Sequence, residues 1–157
     1  VGAAVPPPVL AGGGIGDGRG MAAAFMLGAV GVQVGTRFLV AKECNVHQNY
    51  KNKVLKAKDT DTITTGKRLG HPVRSLKTPF SRGYAKEEYS TISDDDLEAL
   101  AVGALRLAAV EGDEKRGCFL CGEIAGMVKK EQPAAEIIAE MFAQAEEVLK
   151  GAGRWLR

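Results

Sequence analysis

At residues 9–18 the chain reads Val9-Leu10-Ala11-Gly12-Gly13-Gly14-Ile15-Gly16-Asp17-Gly18, and at residues 31–38 it reads Gly31-Val32-Gln33-Val34-Gly35-Thr36-Arg37-Phe38. Each stretch is a short apolar run followed by a glycine turn, which predicts a strand that ends where a helix begins. Between them, Asp17 is placed to cap a helix over residues 18–27 and Gly28 to end it. The pattern therefore predicts a compact strand, helix and strand, with the two strands parallel in a barrel or an open sheet.

The two turns together predict a phosphate site. The carboxyl ends of neighbouring parallel strands lie at one edge of a sheet, so the N–H groups of Gly13, Gly14, Gly35 and Thr36 would face the same space. The dipole of the helix that begins near Gly18 would add to the attraction for an anion. The alternative interpretation is two tight turns of an ordinary α/β fold without a ligand.

The spacing of the glycines narrows the choice of phosphate ligand. A Rossmann fingerprint, G-x-G-x-x-G, would need a further glycine at Asp17, Arg19 or Met21, depending on where the motif starts. A nucleoside-triphosphate loop would need Lys and then Ser or Thr after Gly18, where the chain has Arg19-Gly20. The arrangement that fits is that of a TIM barrel, in which the loops after the last two strands hold a phosphate. Flavin mononucleotide (FMN) is a natural ligand of such a site.

Composition and charge exclude several classes of protein. With 157 residues, 45% of them apolar, the chain is long enough to bury one core. Its 21 lysines and arginines are balanced by 19 acidic residues, so nucleic acid is not an expected partner. The longest apolar stretch, residues 21–34, is too short for a membrane span, and no secretory segment is recognisable. Three cysteines, an odd number, argue against a disulfide framework and favour the reducing cytoplasm.

Beyond residue 42 the alternation of strands and helices stops. The pattern predicts a helix over residues 45–58 and then a polar, turn-rich stretch over residues 59–89, with one short strand at residues 62–65. We interpret the lysines of the helix as a solvated face, and the alternative is a surface that attracts an acidic carrier protein or a cofactor phosphate: Lys51, Lys53, Lys56 and Lys58.

Two further helices are predicted in the C-terminal third of the chain. Ser93 and Asp96 resemble a capping box, after which apolar residues keep one helical stripe: Leu97, Leu100, Ala101, Ala104, Leu105 and Ala108. A second long helix follows Pro133 and ends at Gly151.

The cysteines and histidines do not form a recognisable reactive centre. Cys118-Phe119-Leu120-Cys121 has C-x-x-C spacing, but there is no second cysteine pair, and neither His47 nor His71 has metal-ligand spacing to it. We therefore predict reduced, structural cysteines, Cys44 included, and no metal site. His71, in Gly70-His71-Pro72-Val73-Arg74, is interpreted as a surface or turn residue, with a substrate contact as the alternative.

Several segments resemble flavin-dependent enoyl-acyl-carrier-protein reductase II, the FabK family. They occur in the order seen there: Ala11-Gly12-Gly13-Gly14-Ile15, Asp17-Gly18-Arg19-Gly20, Gln33-Val34-Gly35-Thr36-Arg37-Phe38, Gly70-His71-Pro72-Val73-Arg74 and Gly122-Glu123-Ile124-Ala125-Gly126. The related nitronate monooxygenases, formerly 2-nitropropane dioxygenases, share the first glycine turn and the Gly-Thr-Arg-Phe turn. Further segments look more like the reductase: Lys42-Glu43-Cys44, Asn49-Tyr50-Lys51 and Asp59-Thr60-Asp61-Thr62. One departure is Glu123, where the family usually has glutamine.

The resemblance covers the C-terminal half of such an enzyme and implies its fold. It implies an α/β fold in which residues 1–42 are the last two βα units of a TIM (β/α)8 barrel, followed by a mainly helical region, residues 43–157, that covers the barrel mouth. Two strands alone would leave both sheet edges open. We therefore expect the N-terminal half, or a complementary chain, to supply the other strands, and the 157-residue chain alone to be inactive.

The resemblance also implies an activity: reduction of the 2,3 double bond of an enoyl thioester with FMN and NADH or NADPH, in bacterial fatty-acid synthesis. It carries over the phosphate-side contacts position by position, as cofactor-binding residues: Gly13, Gly14, Gly18, Gln33, Val34, Gly35 and Thr36. It assigns no catalytic residue here, because the family's acid histidine belongs to the preceding half. It further implies acyl carrier protein as a partner, a homodimer and, in some members, a monovalent cation. The alternatives are a nitronate monooxygenase and a noncatalytic fragment that binds a phosphate ligand.

Overall fold

The first unit of the chain is a parallel strand, helix and strand. The computed structural model describes residues 7–155, so residues 1–6 of the predicted first unit lie outside it. Strand β1 is Leu10–Gly12, helix α1 is Gly18–Met26, strand β2 is Gly31–Gln33, and a short helix α2 is Thr36–Leu39. β1 and β2 pair in parallel, which confirms the predicted βαβ unit.

Asp17 caps α1 as the sequence predicts. Its carboxylate accepts hydrogen bonds from the backbone N–H groups of Arg19 and Gly20, at 3.0 and 3.2 Å. Its side chain also pairs with the guanidinium of Arg19. Partial burial raises the pKa of Asp17, but these hydrogen bonds outweigh it, so the pKa lies below its usual value. The carboxylate therefore stays ionised beside the positive end of the helix dipole.

The middle of the chain contains more regular structure than its sequence predicts. Helix α3 is Gln48–Lys56, strands β3 and β4 are Thr62–Thr65 and Val73–Leu76, and helix α4 is Pro79–Glu87. β3 confirms the predicted strand, and it pairs antiparallel with β4. The sequence pattern does not reveal β4 or α4, because Val73-Arg74-Ser75-Leu76 is short and shows no polar and apolar alternation. The cap of α4 is also a Thr78–Ser81 pair, without the acidic residue of a standard capping box.

The predicted continuous helix after Ser93 is wrong in one respect. Ser93 caps α5, Asp94–Ala101, and its hydroxyl accepts from the N–H of Asp96 at 3.1 Å. The chain then turns at Gly103, which has φ +75, before α6, Ala104–Arg106, and a π-helical turn, Leu107–Glu111. Apolar residues recur on both sides of this turn, so periodicity alone does not reveal the break.

The last helix, α7, is Ala134–Gly151, in agreement with the predicted helix. Its buried residues Ile137, Met141 and Ala145 form a core with α1, through Met21 and Ala22. The predicted domain boundary after residue 42 assigns α7 to the second region, although α7 packs against an element of the first. Short 3₁₀ helices, Glu123–Met127 and Ala152–Trp155, precede and follow it.

A second core lies under α3. It contains Tyr50, Val54, Phe119 and Val128, each at most 2% exposed. The Tyr50 hydroxyl donates to the carbonyl oxygen of Leu120 at 2.5 Å, and burial raises the pKa of this tyrosine. None of the helices within residues 7–155 is long and apolar enough to cross a membrane.

One lysine of α3 corrects the interpretation of that helix as a solvated face. The Lys51 residue is only 4% exposed. Its ammonium group donates to the carbonyl oxygen of Ala41 at 2.7 Å and to the carboxylate of Glu131 at 3.0 Å. Lys51 therefore ties α3 both to the end of the first unit and to the segment that precedes α7.

This contact predicts a specific dependence of stability on pH. The hydrogen bond from Lys51, with a second from Gln48, lowers the pKa of Glu131 below its usual value. A carboxyl whose pKa is lowered by folding stabilises the protein above its unfolded pKa of about 4.3. That stabilisation is lost as the pH falls through the lower folded pKa.

We expect Lys51→Met to destabilise the chain by about 1–3 kcal/mol near neutral pH, because the charge-assisted hydrogen bonds from its ammonium group to the Ala41 carbonyl and to Glu131 are lost. The acid-induced loss of stability should also become shallower than in the wild type. Urea denaturation between about pH 7 and pH 3 measures both effects. Lys86→Met, at an exposed lysine of α4, is the control. Identical pH profiles for wild type and Lys51→Met would contradict the assignment.

Candidate functional site

Strand register places the two glycine turns next to each other. In the β1–β2 pair the last residues, Gly12 and Gln33, are direct partners. Neighbouring strands are about 4.8 Å apart, and both chains leave the sheet at the same edge. The turns that follow therefore lie side by side, ahead of α1 and α2, as the phosphate prediction requires.

The turns offer backbone N–H groups and open space. Gly13 and Gly14 have φ values of +82 and +74, and no atom lies within 4 Å of the position that a Cβ would occupy at either. The same space is open at Gly35. Within residues 7–155, the N–H groups of Gly13, Gly14, Gly35 and Thr36 donate to no protein acceptor. Unpaired amides beside open space suit an anion, so the residues of the two turns are compatible with the phosphate of FMN.

Gly18 is placed differently from the other predicted contacts. It is buried against α7, and its N–H donates to the side-chain oxygen of Gln144 at 2.8 Å. A Cβ at Gly18 would lie 2.3 Å from the carbonyl oxygen of Met141 and 2.6 Å from the nitrogen of Ala145. Close packing of α1 on α7 thus explains why this position is glycine, and its contact with a phosphate stays a prediction.

The other predicted contacts lie at the end of β2. Gln33 is exposed at the edge of the sheet, and Val34 is half-buried against the core shared by α1 and α7. Thr36 is 8% exposed, and its hydroxyl oxygen accepts from the N–H of Gly122 at 2.6 Å. The hydroxyl of Thr36 therefore anchors the 3₁₀ helix Glu123–Met127, and the contact of its own N–H with a phosphate stays a prediction.

The 3₁₀ helix Glu123–Met127 joins the two turns. From its attachment at Thr36 it reaches Gly16 of the first turn. Side-chain atoms of Ile124 and Met127 lie 3.5 and 3.6 Å from the position of a Cβ at Gly16. The segment singled out in the sequence, Gly122 to Gly126, therefore forms a wall beside the site. Gly126 itself is a packing glycine, because a Cβ there would lie 2.5 Å from the Asp59 carboxylate.

Arg37 is a structural residue that the sequence reasoning did not assign. It is 7% exposed, and its guanidinium donates to the Lys130 carbonyl oxygen at 3.2 Å and to the Gln132 side chain. Burial lowers the pKa of Arg37, and the charge of Glu140 partly offsets this. The sequence signal for this role is the arginine within the Gly-Thr-Arg-Phe turn. Its partners lie more than 90 positions away in the chain, so only the folded structure identifies them.

Glu123, the departure from the family pattern, has a partner of opposite charge. Its carboxylate lies 3.7 Å from the guanidinium of Arg74, which also donates to the hydroxyl of Thr62 at 3.0 Å. Arg74 belongs to the Gly-His-Pro-Val-Arg segment. Two segments that carry the family resemblance are thus joined by an ion pair, which is largely exposed on the Glu123 side.

The remaining candidates do not form a reactive centre with the turns. His47 caps α3, since its Nδ1 accepts from the N–H of Asn49 at 3.1 Å. His71 is exposed beside a cavity of about 260 Å³ that Cys118 also lines. Cys121 instead packs into the core under α3, where burial raises its pKa to about 12. Across residues 7–155 no group of three or more His, Cys, Asp or Glu side chains could hold a metal ion.

Comparison with known proteins identifies the family. The family model described as nitronate monooxygenase matches residues 1–144. The chain belongs to the nitronate monooxygenase family. Among curated members, a probable nitronate monooxygenase of Staphylococcus saprophyticus is 34% identical over 90% of this chain, and that of Staphylococcus aureus strain MSSA476 is 29% identical over 91%. The chain spans about 40% of the length of each of these relatives.

Solved structures of this family share the fold. FabK from Thermotoga maritima matches 99% of this chain with a TM-score of 0.94 and 44% identity. Nitroalkane oxidase from Streptomyces ansochromogenes matches 95% with a TM-score of 0.78 and 29% identity. The chain covers 49% and 42% of those two chains. This member of the nitronate monooxygenase family therefore has an α/β fold similar to that of the FabK and nitroalkane oxidase structures.

Proposed function

We propose that this chain is the flavin-phosphate part of an FMN-dependent enoyl-acyl-carrier-protein reductase that uses NADH or NADPH. The observation that carries the proposal is the 44% identity to FabK over 99% of the chain, against 34% and 29% to the two nitronate monooxygenases. The two adjacent glycine turns support the cofactor, because they present unpaired amides to open space.

In this proposal the residues of the two glycine turns bind the phosphate of FMN and so orient the cofactor. FMN supplies the hydride chemistry between the nicotinamide and the enoyl thioester. The N–H groups of Gly13, Gly14, Gly35 and Thr36 donate to its phosphate, and Gln33 and Val34 border the site at the strand end. Thr36 also fixes the wall of the site through Gly122, which keeps the second turn in place. Water is excluded on that side by the 3₁₀ helix Glu123–Met127.

We propose that the proton donor lies outside this chain, in the N-terminal half of the enzyme. Within residues 7–155, β1 and β2 pair only with each other, so each strand has one unpaired edge. A groove of about 510 Å³ runs along β1 and α1, and it is lined by apolar residues that include Leu10, 65% exposed, and Leu27, 83% exposed. Strands of a TIM barrel would pair with these edges and fill this groove.

Further proposals follow from the same assignment. The partner that delivers the substrate is acyl carrier protein, the assembly is a homodimer, the location is the cytoplasm, and a monovalent cation is a further proposed ligand. The predicted domain division, with residues 1–42 in the barrel and 43–157 covering its mouth, belongs with this proposal.

A second candidate function is oxidation of nitronates with oxygen. It is favoured by the family model and by the names of the two curated relatives given above, both of which are probable nitronate monooxygenases. The two candidates differ in their need for a nicotinamide. A reductase consumes NADH or NADPH and a monooxygenase does not.

Activity assays of the full-length, FMN-loaded protein separate the two. We expect NAD(P)H-dependent reduction of a crotonyl thioester and little consumption of a nitronate. Rapid nitronate consumption with oxygen uptake, and no thioester reduction, would replace the reductase by the monooxygenase. The 157-residue chain alone is expected to show neither activity, and turnover by it would show that the chain contains its own proton donor.

A further inference from the structure

A groove of about 270 Å³, which we name the basic groove, lies between α3, α4 and the end of β4. Its charged lining residues are Lys53, Lys56, Asp61, Lys77, Arg82 and Glu114. We propose that the basic groove binds the phosphate group of a small-molecule ligand. The proposal concerns a site separate from the glycine turns, and it does not depend on the reductase assignment.

The cations of the basic groove exceed the anions, and two of them are unused. Lys53 pairs with Glu114 at 2.9 Å, and the carboxylate of Asp61 already accepts from the N–H of Lys58. Within the part of the chain that the structure describes, the side chains of Lys56 and Arg82 make no ion pair or hydrogen bond. The groove therefore has four cations against two carboxylates, and Lys56 and Arg82 are the two cations whose side chains have no protein partner among the described residues.

Arg82 stands apart from the other arginines of residues 7–155. The side chains of six of those have a polar partner: Arg19, Arg37, Arg68, Arg74, Arg106 and Arg116. Arg154 also has an interaction partner. Arg82 also lies near the start of α4, which begins at Pro79. The positive end of a helix dipole is there, so a cation is unfavourable unless an anion accompanies it. The position of Arg82 therefore suits an anionic ligand.

The chemistry of the basic groove favours a phosphate. A guanidinium donates two parallel hydrogen bonds to phosphate oxygens, and a lysine ammonium adds a point charge. Two apolar residues also line the groove, Ala57 and Leu76, which are only 3% and 4% exposed. The volume admits a phosphate and the group attached to it. Nucleotides and phosphopantetheine both present such a phosphate next to less polar atoms.

The test is calorimetric titration with inorganic pyrophosphate at low salt. The parent protein for this titration carries Gly35→Asp, so that pyrophosphate does not bind at the glycine turns. The aspartate side chain fits the open space at Gly35, and its charge repels anions there. We expect the double variant Lys56→Gln with Arg82→Gln to lose at least about tenfold in affinity, because two charge-assisted contacts are removed. Both side chains are exposed and unpaired, so the fold should persist.

The control removes the same charge elsewhere. Lys86→Gln with Lys115→Gln changes two exposed lysines that do not line the basic groove, and the affinity should fall less than about twofold. An equal loss in both double variants, or no pyrophosphate binding by the parent, would overturn the proposal. Titration with adenosine 2′,5′-bisphosphate and with 4′-phosphopantetheine then shows which source of phosphate is preferred.

Discussion

Replacing Gly18 by alanine is expected to lower the free energy of unfolding by about 3 kcal/mol, towards the upper end of the cost of overpacking. The added Cβ would lie 2.3 and 2.6 Å from backbone atoms of Met141 and Ala145. Backbone cannot move aside as a side chain can, so α1 and α7 must separate. Their separation would also weaken the hydrogen bond from the Gly18 N–H to Gln144. The change is measured by urea denaturation.

Gly20→Ala is the matched control in the same turn of α1. The nearest atom to a Cβ at Gly20 is a side-chain carbon of Ile15 at 3.5 Å, an ordinary contact. Alanine also favours a helix over glycine by about 0.5–1 kcal/mol. Gly20→Ala should therefore be neutral or slightly stabilising. Equal stabilities for the two variants would mean that α1 and α7 do not pack as closely as described.

Replacing Gly35 by aspartate is expected to weaken FMN binding by about 2–4 kcal/mol, or roughly 30- to 1,000-fold. The carboxylate would lie beside the phosphate, where two negative charges repel each other. Gly35 has a φ of −103, which any residue adopts, and open space at its Cβ position. The variant should therefore fold normally. Fluorescence titration of the full-length apoprotein with FMN measures the affinity, and thermal unfolding checks the fold.

Gly35→Asn separates charge from size in this experiment. Asparagine has nearly the same shape as aspartate but no charge, so its affinity for FMN should lie much closer to that of the wild type. If the aspartate variant retained FMN as well as the asparagine variant does, the phosphate would not be at this turn. Because the experiment measures only binding, its result does not depend on whether the enzyme reduces enoyl thioesters or oxidises nitronates.

The glycine turns could be predicted because their geometry follows from local rules. An apolar run followed by glycines indicates a strand end. Asp17 indicates the start of a helix, and its hydrogen-bond partners Arg19 and Gly20 are only two and three residues away. The parallel pairing then brings the turns together without any further information. By contrast, nothing near Gly18 in the sequence shows that α7 packs against it.

Lys51 shows that local sequence also fails to indicate which charged residues are buried. On a helix with several lysines it looked like a solvated residue, and its burial depends on Glu131, which is 80 positions away in the chain. Arg82 shows the converse. Nothing in the sequence distinguishes it from the other arginines, and only the folded chain shows that Arg68 and Arg116 have acidic partners whereas the side chain of Arg82 has none within residues 7–155.

The amino-acid sequence by itself determined the parallel βαβ unit, the capping of α1 and α5, and the resemblance that the family match confirmed. These features depend on hydrogen bonds and apolar spacing within a few residues, and such interactions act in the same way wherever the segment lies. The tertiary structure alone decided which charges are buried and which glycines are needed for packing. Burial depends on segments that are distant in the chain, and their desolvation and close backbone contacts arise only when the segments meet.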